Sequence, residues 1–236
     1  MLNLKKFDKI LNFVVNEIKK WLSYVWPFTL KSWNSEYSGR VELILVNGKK
    51  VLNTRHANYS FDSLHRVFQY MLRYHMPRIE PEDKILLLGL GGGSVPYIFR
   101  KELKIPNPIT AIEIDPLMIS IAREEFGINQ LENITIIQAD AADYVKHCAE
   151  SYACILLDVF IDDRVPESVQ SFGFMKELKR IINPGGRIFI NTIQRDTRHN
   201  QHESAMYRVL TELGFEVQIE EVDQVNFVWM ADLGME

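Results

Sequence analysis

A run of glycines and a set of acids hold the chemistry that this sequence can do. Residues 89–93 read Gly-Leu-Gly-Gly-Gly, directly after the apolar run Ile85–Leu88 and before a helical pattern that starts near Ser94. Glycine lets the backbone turn sharply and approach a ligand where a Cβ would collide. A helix N-terminus aims its free N–H groups at the same place. Glu113 ends a second short apolar run and is followed by Ile114, Asp115 and Pro116. A carboxylate at that strand tip can accept hydrogen bonds from both hydroxyls of a ribose. A third run, Ile134–Gln138, leads into Ala139-Asp140-Ala141, where an acid can accept from an adenine amino group. Asp158 closes a fourth run that begins at Cys154, and Asp162 stands four residues beyond it.

Each of these residues has a plainer role open to it. Glu113 can be a surface or capping acid, Asp115 before Pro116 reads as a helix N-cap, and Asp140 can cap the helix that follows it. A dinucleotide loop would want a third glycine where Ser94 stands, and no Lys-Ser/Thr follows as a phosphate loop requires. NAD binding is therefore the lesser reading. His199 and His202 share a helix face without a third ligand nearby, so no metal is expected. His56, His65 and His75 flank a segment ahead of the glycine loop. The aromatics Tyr59, Phe61, Phe160 and Phe172 suit either an acceptor pocket or ordinary core packing.

The elements that must position these residues follow from hydrophobic period. Helices are predicted near 94–103, 116–126, 141–149, 168–181 and 200–213, alternating with short apolar runs that include Arg187–Asn191 after Asn183-Pro-Gly-Gly186. Two more strands, Phe215–Glu220 and Val225–Ala231, close the chain. Ahead of the glycine loop, Arg40–Val46 and Lys49–Asn53 flank Asn47-Gly48, a strong hairpin signal. A helix with Phe61, Leu64, Phe68, Leu72 and Met76 on one face comes next. At the N-terminus, Leu4, Phe7, Leu11, Val14, Ile18, Trp21 and Val25 mark an amphipathic helix with lysines off the stripe. Packing on its own domain or on a second copy is the favoured reading, with a membrane-surface helix as the alternative.

At 236 residues and 47% hydrophobic content the chain can bury one core and a small satellite. The net charge of −4 does not indicate a nucleic-acid footprint. Six lysines against Asp8 and Glu17 nevertheless give residues 1–31 a net +4, leaving −8 for the remainder. Cys148 and Cys154 suggest a reducing compartment. No apolar run approaches a membrane span of about 18–20 residues, and the N-terminus is unlike a signal peptide, so a cytoplasmic protein is expected.

Taken in order, GlyLeuGlyGlyGly, GluIleAspPro, AlaAspAla, LeuLeuAsp and AsnProGlyGly resemble the class I S-adenosylmethionine (AdoMet) binding fold, and within it the spermidine synthase-like branch. The resemblance implies an α/β, Rossmann-like domain over 81–236, with a mostly parallel seven-stranded sheet and an antiparallel final pair. Residues 33–80 would form a small β-hairpin and front helix, and 1–32 the N-terminal helix. It also implies a nucleoside held by Gly89, Gly91, Gly92, Gly93, Glu113, Ile114, Asp140, Ala141 and Asp158, with Asp158 and Asp162 as the catalytic candidates. The cofactor would be AdoMet or decarboxylated AdoMet, the partner a small-molecule acceptor, and a homodimer is open. Departures from both subclasses bear on the reaction, and Leu87 stands where typical methyltransferases carry an acid two residues before the loop's first glycine. Gly92 stands where aminopropyl-transferring members carry an aspartate that helps hold the donor's amine. Ile161 stands where they carry a catalytic aspartate, leaving Asp162 as a shifted base. The expectation is methyl transfer, with aminopropyl transfer and a non-catalytic nucleotide-binding or interaction protein as alternatives.

Overall fold

The computed structural model describes residues 15, 17–54, 58–60, 63–160, 165–193, 199–222 and 226–235. Two sheets organise them. The first is antiparallel, in the order β1 (Phe28–Ser35), β2 (Gly39–Val46), β3 (Lys49–Thr54) and β4 (Asn58–Ser60). The hairpin expected at Asn47-Gly48 is present: Val46 faces Lys49, and both turn residues have positive φ, 50° and 72°. That is the backbone of a two-residue turn matching the strand twist. A two-stranded hairpin was expected, and the sheet has four strands. β1 escaped the pattern because its register slips between Thr29 and Lys31, which breaks the alternation of its side chains. Residues 15 and 17–22 are helical and precede it, and the stripe expected from Leu4 to Val14 lies outside the described residues.

The second sheet has seven strands: β5 (Ile85–Leu88), β6 (Ile109–Glu113), β7 (Ile134–Gln138), β8 (Tyr152–Leu157), β9 (Ile182–Ile193), β10 (Phe215–Val222) and β11 (Asn226–Leu233). Their order is β10-β11-β9-β8-β5-β6-β7, parallel from β9 through β7, with β11 antiparallel to both neighbours. This is the expected Rossmann-like arrangement. β9 is longer than expected, since Asn183–Gly186 lies within it as an irregularity between the Tyr152–Ile182 and Cys154–Arg187 pairs.

Helices cover both faces, as a parallel sheet requires. Leu86 and Leu88 of β5 join a core with α4 (Ala141–His147), α5 (Phe172–Ile181) and α6 (His199–Glu212). Ile85 and Leu87 join a second core on the other face, built with α1 (Ser63–Tyr74), α2 (Ser94–Tyr97, continued as a π-helical turn over Ile98–Glu102) and α3 (Pro116–Glu124). All four β5 side chains are fully buried, worth about 1.5–3 kcal/mol each in transfer from water. A third, smaller core joins Val41, Leu43 and Leu52 of the first sheet to Met118 and Ile121 of α3. The small sheet therefore rides on the helix that leaves β6, next to the tips of the main strands.

Candidate nucleoside and transfer site

The C-terminal ends of β5, β6 and β8 converge on the glycine loop. Gly89 follows β5 with φ of 95°, and its N–H donates to the Ile112 carbonyl of β6 at 2.9 Å. A Cβ at Gly89 would overlap the Asp158 carbonyl, so this turn packs directly on the end of β8. Gly91 and Gly93 also have positive φ, 52° and 89°, and Gly93 is the residue from which α2 starts. Glycine at 89 is demanded twice, by its dihedral and by the lack of room.

Glu113, at the tip of β6, ties the loop down. Its Oε2 accepts from the N–H groups of Leu90 and Gly91, at 3.0 and 3.1 Å, and Oε1 accepts from Asp115 N–H at 3.0 Å. Each carboxylate oxygen can accept about two hydrogen bonds, so Oε1 keeps one acceptor site for a ligand. Burial raises the Glu113 pKa, against the pull of those three N–H groups.

Asp158, after β8, is a second buried acid whose pKa is raised. Burial lifts its pKa to about 7; Asn191 opposes the lift by donating Nδ2–H to Oδ1 at 3.0 Å, and the charge of Glu113 adds to it. Asn191 is itself held by Asn226, whose Nδ2 donates to its Oδ1 at 3.0 Å. Both asparagines are buried. Asn191 was visible only as a polar strand end, and Asn226 gave no signal. Antiparallel β11 brings Asn226 beside Asn191 by pairing it with Ile193.

Asp140 caps α4, with Oδ1 accepting from Ala142 and Asp143 N–H at 2.8 and 3.0 Å. Asp140 is exposed and both bonds fall on Oδ1, so Oδ2 is open to solvent or a ligand. Asp115 does more than the N-cap read from sequence. Oδ1 caps α3 through Leu117 N–H at 2.9 Å, while Oδ2 accepts from the Ser35 and Ser38 hydroxyls at 2.5 and 3.0 Å. Those serines stand at the end of β1 and in the turn after it, so this end of the small sheet is fixed beside the β6 tip. Ile114 is half-buried next to Glu113, and Ala141 is buried at the start of α4. Gly92 lies within the same loop.

The remaining candidates fall elsewhere. Asp162 lies outside the described residues, as do His56, Phe61 and the side chains of Tyr59, His199 and His202. Phe160 is half-buried and Phe172 is 44% exposed, so neither is a core residue. His65 faces Glu102 at 2.8 Å and His75 faces Glu220 at 3.1 Å.

Comparison with known proteins agrees with this fold. Residues 79–231 match the family described as Methyltransferase domain. The polyamine aminopropyltransferase of Vibrio vulnificus is 34% identical over 129 residues, 53% of this chain and 42% of that protein. The eEF1A lysine and N-terminal methyltransferase homolog of Drosophila melanogaster is 30% identical over 129 residues, 51% of this chain and 19% of that protein. Less than half the length of either relative is thus matched. A probable spermidine synthase from Corynebacterium glutamicum superposes with a TM-score of 0.65 at 18% identity, covering 86% of this chain and 79% of that one. The glycine loop and the acid at the β6 tip lie inside the matched span, and the chain belongs to the methyltransferase domain family.

Proposed function

We propose that the protein is an AdoMet-type transferase that moves a methyl group to a small-molecule acceptor. The observation that carries this is the seating of the glycine loop. It rests on the Asp158 carbonyl and is held by Glu113, which puts acids from two strands around one cradle. The residues present fit a nucleoside donor. The open acceptor site on Glu113 suits a ribose hydroxyl, Asp140 Oδ2 suits an adenine amine, and Ile114 and Ala141 supply apolar contact for the base. Gly89, Gly91, Gly92 and Gly93 admit the donor's tail close to the backbone. When bound, the donor supplies a carbon activated by its sulfonium. Asp158 orients the amine of the donor or the acceptor, and Asp162 stands as the shifted base.

Methyl transfer is favoured because it runs mainly on alignment of the acceptor. Gly92 offers no acid for the amine of a decarboxylated donor, and it leaves the loop free of a charge that would repel a donor carboxylate. One observation favours a second reading, aminopropyl transfer. That reaction needs a group that takes a proton from the attacking amine. Asp158, with a pKa of about 7 and a fixed hydrogen bond from Asn191, is suited to do so near neutrality. The relative named as a polyamine aminopropyltransferase supports the same reading.

Product analysis separates the two. The full chain is offered AdoMet with a pool of small amines and acids, and separately decarboxylated AdoMet with putrescine. Methylated product in the first and no spermidine in the second is the expected result. Efficient spermidine formation would overturn the methyl assignment and give the proton-accepting role to Asp158 or Asp162.

A further inference from the structure

The helical segment at residues 17–22 and the turn after it carry an apolar surface that the other described residues leave open. Ser23, 1% exposed, ties the segment to the body. Its hydroxyl accepts from Gly48 N–H at 2.9 Å and donates to the Lys20 carbonyl at 2.6 Å, while its own carbonyl accepts from Asn47 N–H at 2.9 Å. The Tyr24 ring lies against Gly48. Around that anchor Ile18, Trp21, Leu22, Val25 and Trp26 are 53, 75, 50, 84 and 71% exposed. Packing on its own domain is one half of the favoured expectation for this helix, and the described residues do not supply it for these side chains; packing on a second copy is the other half. Contiguous exposure on this scale marks a surface that another phase or molecule covers.

Charge decides which. Lys19, Lys20 and Lys49, the last next in the chain to Gly48, are all exposed around the apolar side chains. A two-fold contact through this patch would gather Lys19 and Lys20 of both copies into one interface, with Glu17 the nearest offsetting acid in the segment. An anionic lipid surface takes the same features without conflict. Indole rings settle at the headgroup level, and lysines reach past them to phosphate. Among the described residues no helix is long and apolar enough to cross a membrane, so the segment would lie in the interface rather than span it.

We propose that residues 17–26 dock the protein peripherally on anionic phospholipid. The anchor sets the geometry, because Ser23 holds the segment to the β2–β3 turn. β1 starts at Phe28 beside that turn and ends at Ser35, which bonds Asp115 near the candidate site. Eight extended residues separate the two ends by about 25 Å. The docked face and the site would therefore not compete.

The test is sedimentation of the full chain with vesicles of phosphatidylcholine alone and of phosphatidylcholine mixed with phosphatidylglycerol. Tryptophan emission is followed in parallel. Trp229 is buried and Trp33 half-buried, so a blue shift reports chiefly on Trp21 and Trp26. The expected result is binding to the mixed vesicles only, reduced by salt, with a blue shift. Lys19→Glu with Lys20→Glu should weaken it roughly tenfold or more. Trp21→Ser with Trp26→Ser should abolish it while the circular dichroism spectrum and melting temperature hold. Three results would each overturn the proposal: a full chain that stays in the supernatant with both vesicles, binding indifferent to the tryptophan pair, or a self-association that the pair abolishes without any vesicle binding.

Discussion

Burial of Asp158 permits a test at the residue scale that needs no substrate. Its folded pKa of about 7 lies above the ordinary 3.8, so the folded chain holds this proton more tightly than the unfolded chain does. The group's contribution to stability is therefore full below about pH 4, falls as pH rises, and is gone once pH has passed about 7. Asp158→Asn keeps an oxygen for Asn191 and removes the buried charge. The variant should melt above the wild type at pH 8 and level with it near pH 4, while losing transfer; an offset that is the same at every pH would contradict this. Glu113→Gln is a different case, because the carboxylate receives three backbone N–H groups. An amide sets its own donor against at least one of them. The substitution should weaken donor binding by about 1.5–3 kcal/mol, the range for hydrogen bonds to a charged group, and lower fold stability by about 1 kcal/mol. Calorimetric affinity and a thermal melt read the two effects separately, and an unchanged affinity in a folded variant would remove Glu113 from the site.

Among the elements, the β5–loop–α2 unit has the least freedom. Gly89→Ala meets both a φ of 95° and the Asp158 carbonyl, so the tip of β8 must move to accept it. A loss of more than about 2 kcal/mol in urea unfolding is expected, with donor affinity falling as well; a variant of wild-type stability would show that the loop is not seated on β8. This element was legible in the sequence because its determinants are local. An all-apolar run, glycines at fixed offsets and a helical period are read without knowing the neighbours, and the same holds for the Asn47-Gly48 turn. β1 was not legible, since the slip at Thr29/Lys31 hides its alternation. The Asn226–Asn191–Asp158 chain was hidden for another reason. It depends on which strand lies beside β9 and in which register, and that is a long-range property of the folded sheet. Asp115 was legible only as a cap, because its two serine partners stand far back in the chain, in and just after β1.

For the whole molecule, the small sheet, α3 and the main sheet act as one support for the strand tips. The small sheet is held to α3 by apolar packing at Met118 and Ile121 and by Glu125, which meets Lys31 and Lys50 at 2.5 and 2.9 Å. Among the described residues, neither residue 15 nor any of residues 17–26 belongs to any of the three cores. A chain lacking residues 1–26 should therefore keep its circular dichroism spectrum and donor affinity while its solubility or association changes. Failure of that chain to fold would assign the segment to the core. The central claim, that these strand tips form a nucleoside-sulfonium site, meets its most direct test in calorimetric titration of the full chain with AdoMet, set against decarboxylated AdoMet. Saturable binding of AdoMet at one site, tighter than the decarboxylated donor, is the predicted result. Absence of binding by either compound in the folded protein would contradict the claim.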